Sequence, residues 1–215
     1  MKEMFRSHKS EMPVFGFVFF AAVLIVLFHL LFHQIRIIGM DTSIFYMDEK
    51  YTLASFFSTV MAFLVGFLVL TEATKIKLKS NRLVNVVYGL FFIGLSFDEY
   101  FEIHEYANTL IKSALREETV FSVLSNISWI FPLFLVIVIV ILLFFTKWHQ
   151  ANKTARWPMQ IGMMCFGAVL IFELLGSVSY GKSIYLYFVA IEEGLEMIGV
   201  TFFLLATLVE TRKSL

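Results

Sequence analysis

Long apolar runs alternate with short polar connections along the whole chain. Residues 13–32 are apolar apart from His29, and 53–71 and 127–146 contain no charged residue. Three further runs are interrupted only by acids: 83–97 leads straight into Asp98 and Glu99, 159–180 carries Glu173, and 183–209 carries Glu192, Glu193 and Glu196. About 18 or more apolar residues suffice for a helix to cross the bilayer. The pattern therefore predicts an all-α polytopic membrane protein, a bundle of six transmembrane helices at about 13–32, 53–71, 83–104, 127–146, 159–180 and 183–209. Residues 1–215 form one integral membrane domain on this reading, because the connections are too short to hold another.

Composition sharpens the class. Hydrophobic residues make up 59% of the chain and charged residues 16%, against about 45–50% and 25% in soluble domains. Lys plus Arg and Asp plus Glu stand at 17 each, so no net charge recruits nucleic acid. The single cysteine, Cys165, excludes an internal disulfide and a cysteine-based zinc site. Of the 17 basic residues, 12 fall at the two ends and in the 72–82 and 147–158 connections, and 5 in the opposite loops. Basic residues accumulate on the cytoplasmic side, which predicts a multi-pass protein of the cell membrane with both termini cytoplasmic. The first apolar run is too long for a cleaved signal and lacks a small-residue cleavage site, so it reads as a retained span.

The acids carry the candidate chemistry. An ionisable group near the bilayer centre costs about 2.5 kcal/mol or more and marks a site by default. With a rise of about 1.5 Å per residue, Asp98 lies about 22 Å along its helix, Glu173 about 21 Å and His29 about 24 Å. Glu192 and Glu196 lie about 14 and 20 Å down the last helix from the opposite side. Four helices thus deliver polar groups to the outer half, with His33, His104 and Glu105 nearer the surface. Glu192, Glu193 and Glu196 fall within an arc of roughly 100°, and Asp98, Glu102 and Glu105 share a stripe on an ideal helix. His29 and His33 have the i, i+4 spacing that lets two imidazoles reach one ion. His104 joins the site only where its helix bends or unwinds. The spans contain almost no basic residue to pair with these acids. Carboxylates so placed are protonated, bridged by a cation, or paired with bases.

A divalent metal ion is the sharpest solution, with Asp98, Glu99, His104, Glu105, Glu173, Glu192, Glu196, His29 and His33 as ligand candidates and Glu193 as a spare general base. The first functional expectation is a metal-dependent membrane enzyme whose site opens to the outer side, acting on a lipid that enters sideways or on a small molecule. The second is a cation or proton transporter or channel. It is weakened by an inner half that offers only Asn85, Tyr88, Gln160, Thr201 and Thr207, a wholly uncharged series. A third is a non-catalytic binding or assembly subunit stabilised by an ion. The oligomeric state is left open by the sequence. A di-iron four-helix site needs two Glu-x2-His units, and the chain has none.

Three segments carry a family resemblance: Asp98-Glu99-x4-His104-Glu105, Glu192-Glu193-Gly194-Leu195-Glu196-Met197, and Asp48-Glu49 shortly before Phe56-Phe57-Ser58. In helix order they resemble an uncharacterised family of small bacterial six-span membrane proteins. The resemblance implies a common site built from these positions and supplies no reaction.

Overall fold

The computed structural model describes residues 11–34, 43–47, 51–103, 106, 130–179 and 181–214. The described residues are all-helical, with six long helices: α1 (Met12–Gln34), α2 (Leu53–Ala73), α3 (Lys79–Phe101), α4 (Ile130–Gln150), α5 (Lys153–Ser179) and α6 (Tyr185–Ser214). A single 3₁₀ turn, Ser43–Phe45, lies between α1 and α2. Four of these helices, α1, α2, α3 and α5, are long and apolar enough to cross a membrane. The helix α6 is longer still, 30 residues, but carries four acids. Large apolar side chains cover much of the outside, Phe17 and Met164 being 74% exposed. A surface of that kind suits lipid and is rare on soluble monomers.

Local chemistry sets several helix ends. Thr52 caps α2, its Oγ1 accepting from the Ser55 N–H at 3.3 Å. Gly181, at φ +79°, lets the chain reverse between α5 and α6. Arg156 reaches back from α5 to the last carbonyls of α4, donating to Ala151 O at 3.0 Å and His149 O at 2.9 Å, and its guanidinium lies over the Trp148 ring. The expected continuous helix through residue 104 is corrected: α3 ends at Phe101, and Glu102 takes a left-handed conformation at φ 53°. Of the expected Asp98–Glu102–Glu105 stripe, Asp98 therefore lies on α3 and Glu102 at its cap, and Glu105 lies outside the described residues.

Two antiparallel hairpins form the frame, each crossing at a pair of glycines. In α2–α3, a Cβ on Gly66 would come within 2.8 Å of Gly89 O, and one on Gly89 within 3.1 Å of Gly66 O. In α5–α6, a Cβ on Gly162 would meet Gly199 O at 3.1 Å, and one on Gly199 would meet the Phe166 ring at 2.7 Å. Small residues at such crossings let helix backbones approach where lipid gives no hydrophobic drive to associate. The helix α6 joins the two hairpins: besides its partner α5 it packs on α2 and α1, and it is buried around most of its circumference. Gly194 serves the α1 contact, since a Cβ there would meet Val26 Cγ2 at 3.0 Å.

The centre of the bundle is a cluster of rings. Phe203 of α6 lies 5.1 Å from both Phe92 of α3 and Phe144 of α4, and 5.5 Å from Phe166 of α5. Tyr88 sits 5.1 Å from both Phe92 and Phe144. Each such pair contributes about 0.5–1.5 kcal/mol beyond the area it buries, and Phe92 and Phe203 are wholly inaccessible.

Candidate functional site

Two polar regions lie on either side of the ring cluster. At the end where α1 begins and α6 finishes, Arg212 donates to Glu11 at 2.9 Å. Deeper at the same end, Lys147 in the last turn of α4 donates to Glu210 Oε2 at 2.6 Å and to Asn85 Oδ1 at 2.7 Å. Asn85 in turn donates through Nδ2 to Asn81 O at 2.8 Å. The Lys147 ammonium also lies 5.9 Å from the centre of the Tyr88 ring, within range of a cation–π attraction. The Lys147 side chain is only 7% exposed and that of Glu210 22%.

This arrangement corrects two sequence expectations. The half expected to be uncharged carries the Lys147–Glu210 ion pair, and Lys147, expected in a connection, lies on α4. Lys147 follows the apolar run directly, and α4 continues through Gln150, so its long stem is drawn into the bundle. The sequence pattern assigns Glu210 no role, although it carries a signal for one. A lysine one residue past one apolar run and an acid one residue past another stand at the same end of two spans that run in the same direction, α4 and α6, where pairing is the cheapest way to bury either.

At the opposite end the acids follow helical stripes that the ring contacts fix in place. On α3, Tyr88, Phe92, Ser96 and Glu99 recur at helical spacing; the first three are buried and Ser96 Oγ donates to Thr59 O of α2 at 2.9 Å. On α6, Glu192, Glu196, Gly199 and Phe203 form one stripe, and Gly199 and Phe203 meet α5. On α5 the facing stripe is Gly162, Phe166, Glu173 and Gly176. A Cβ on Gly176 would lie 3.8 Å from Glu192 Oε2, so the Glu192 carboxylate rests in the α5–α6 seam that also carries Glu173. Phe92 touches Phe203, and Glu99 and Glu196 each lie seven residues beyond that contact in the same direction. Both therefore stand about 10 Å above the rings. Asp98 is one residue from Glu99 and partly buried, as are Glu193 and Glu102.

His29 is 1% exposed, and its Nδ1 accepts from the Met47 N–H at 3.1 Å. This contact ties the 43–47 segment to α1 and occupies one of the two nitrogens a metal could use. The side chain of His33, along with His104, Glu105, Asp48 and Glu49, lies outside the described residues. Among the described residues no three His, Cys, Asp or Glu side chains are gathered so as to hold a metal ion. The metal centre expected from the sequence is thus not supported by the residues that the structure describes.

No curated protein and no solved structure matches the chain. A family profile does, over residues 8–211. The chain belongs to the family defined by the domain of unknown function DUF8692.

Proposed function

We propose that this is a six-span integral membrane protein with cytoplasmic termini, whose carboxylates on α3, α5 and α6 form a proton-binding site within the membrane, and that it moves protons as a proton-coupled carrier. What supports this reading is the level of Glu99 and Glu196, each seven residues, about 10 Å, beyond the Phe92–Phe203 contact, together with the Glu192 carboxylate in the α5–α6 seam. Carboxylates held in low dielectric favour their neutral form or bind a cation. Protons are the cation that needs no metal-ligand geometry. Intramembrane acids facing a bundle interior are the usual substance of proton relays.

The Lys147–Glu210–Asn85 cluster gives such a path a second polar station at the terminal end. The phenylalanine cluster lies between the two stations and bars a continuous water column. Protonation would change repulsion across the α5–α6 seam, and that differential interaction is what a carrier needs to shift between two arrangements.

Infrared difference spectroscopy of the full chain in lipid tests the site. Protonated-carboxyl bands should appear in wild type, vanish on deprotonation, and diminish in Glu99→Gln and Glu196→Gln. Elemental analysis of the same sample decides the cation. A stoichiometric metal with no protonated-carboxyl band would overturn the proposal in favour of a metal-dependent enzyme with Glu193 as base.

A further inference from the structure

A cavity of about 300 Å³ opens at the terminal end between α2, α3, α4 and α6. Its wall holds two acids and two bases, Glu72, Lys75, Lys147 and Glu210. They form two ion pairs, Lys75 to Glu72 and Lys147 to Glu210, both at 2.6 Å. Asn81, Asn85, Gln150, Thr207 and Thr211 add amides and hydroxyls, and Val69 and Ile76 an apolar patch.

From this lining we infer a binding site for a small zwitterion of the amino-acid class, carrying a carboxylate, an ammonium and a modest apolar group. A wall with balanced charge gives little net attraction to a simple anion or a simple cation. A zwitterion can align with both signs at once. Lys147 donates two of its three N–H groups, to Asn85 and Glu210, and has the third for a carboxylate. Glu210 engages Lys147 through Oε2, and its second oxygen can accept from an ammonium. Glu72 and Lys75 repeat the pairing on the outer wall, where Lys75 is substantially exposed and can swing to a ligand. A share of about 30 Å³ per water makes the cavity equivalent to about ten waters, enough for an amino acid of leucine size. The Lys147–Glu210 pair is costly to bury, and a ligand that completes the hydrogen bonding of both partners accounts for its position at a cavity wall.

This inference names a ligand for a different region from the acid seam and stands without the proton-coupling reading; it would supply that reading with a class of cargo. Isothermal titration of the full chain in detergent tests it, with glycine, leucine and phenylalanine as zwitterions, and isocaproate and isoamylamine as single-charge controls. At least one zwitterion should bind, and each control should bind about tenfold more weakly or worse, the cost of one lost charge-assisted contact. The paired Glu72→Gln and Lys75→Gln variant, which leaves the buried pair in place, should fold and lose about tenfold in affinity. Absence of binding by all three zwitterions overturns the site. Equal binding of isocaproate or isoamylamine overturns the zwitterion class, and unchanged affinity in the folded variant overturns the location.

Discussion

The two ends of the bundle bury charge in opposite ways. At the terminal end acids meet bases: Glu210 with Lys147, Glu11 with Arg212, Glu72 with Lys75. At the other end Glu173, Glu192 and Glu196 stand on α5 and α6, and between Pro158 and Thr211 the sole base in the sequence is Lys182 in the turn. Matched charges fix a geometry, because removing either partner leaves the other stranded in low dielectric. Like charges held together define a site whose state depends on what binds it. On the proposed function, one end is an anchor and the other a responsive centre.

The largest effect should come from stranding Lys147. Glu210→Gln keeps the shape of the side chain and deletes its charge, and should cost about 3–5 kcal/mol of stability, read as a fall in thermal midpoint in detergent. Replacing both partners with apolar residues, Lys147→Met with Glu210→Leu, should recover most of it. Failure to recover would mean that the pair holds more than itself in place.

Next in size is the crossing beneath the acids. Gly199→Ala would press a methyl group against the Phe166 ring, 2.7 Å away, and against Cys165 Cβ, 3.1 Å away. The overpacking should cost about 1–3 kcal/mol and widen the α5–α6 seam while the Lys147 anchor stays intact. Infrared bands of the carboxyl groups should shift in this variant and stay unchanged in Lys75→Ala. Matching shifts would show that the seam and the terminal end are not separate.

How far the two ends were legible in the sequence follows the same division. The placement of Glu173, Glu192 and Glu196 within long helices was, because they interrupt apolar runs and hydropathy makes such interruptions conspicuous. Helical spacing by itself puts Glu192 and Glu196 on one face. The anchor was not, because Lys147 and Glu210 sit just beyond their apolar runs and read as solvated ends. Only the packing of α4 against α3 and α6 turns that border into interior. The left-handed turn at Glu102 was equally hidden, since a non-glycine residue there carries no local signal. The glycine crossings needed knowledge of which helices pair, and apolar runs alone do not supply it.

Smaller effects sharpen the contrast. Glu196→Gln should change stability less than Glu210→Gln, because the proposed site holds Glu196 protonated and the amide keeps the shape and hydrogen bonding of a protonated carboxyl. A loss as large as that of Glu210→Gln would mean that Glu196 is an ion-pair partner, and the division between the ends would fall. Smallest of all, Lys75→Ala removes an exposed i, i+3 pair and should cost about 0.5 kcal/mol or less.

The position of α6 bears on how the bundle comes together during synthesis. It emerges after the other five helices, yet it is the one that fills the centre and contacts α1, α2 and α5. The α2–α3 hairpin can close early, its glycine partners being near neighbours in the chain, and helical pairs of this local kind form quickly. The rest must wait. Until α6 arrives, Lys147 and Glu11 stand without Glu210 and Arg212, Phe92 and Phe144 face an empty axis, and α5 has no partner for Gly162. Assembly is thus gated at its last step, and a nascent chain halted before α6 should remain a loose set of helices rather than a smaller version of the fold.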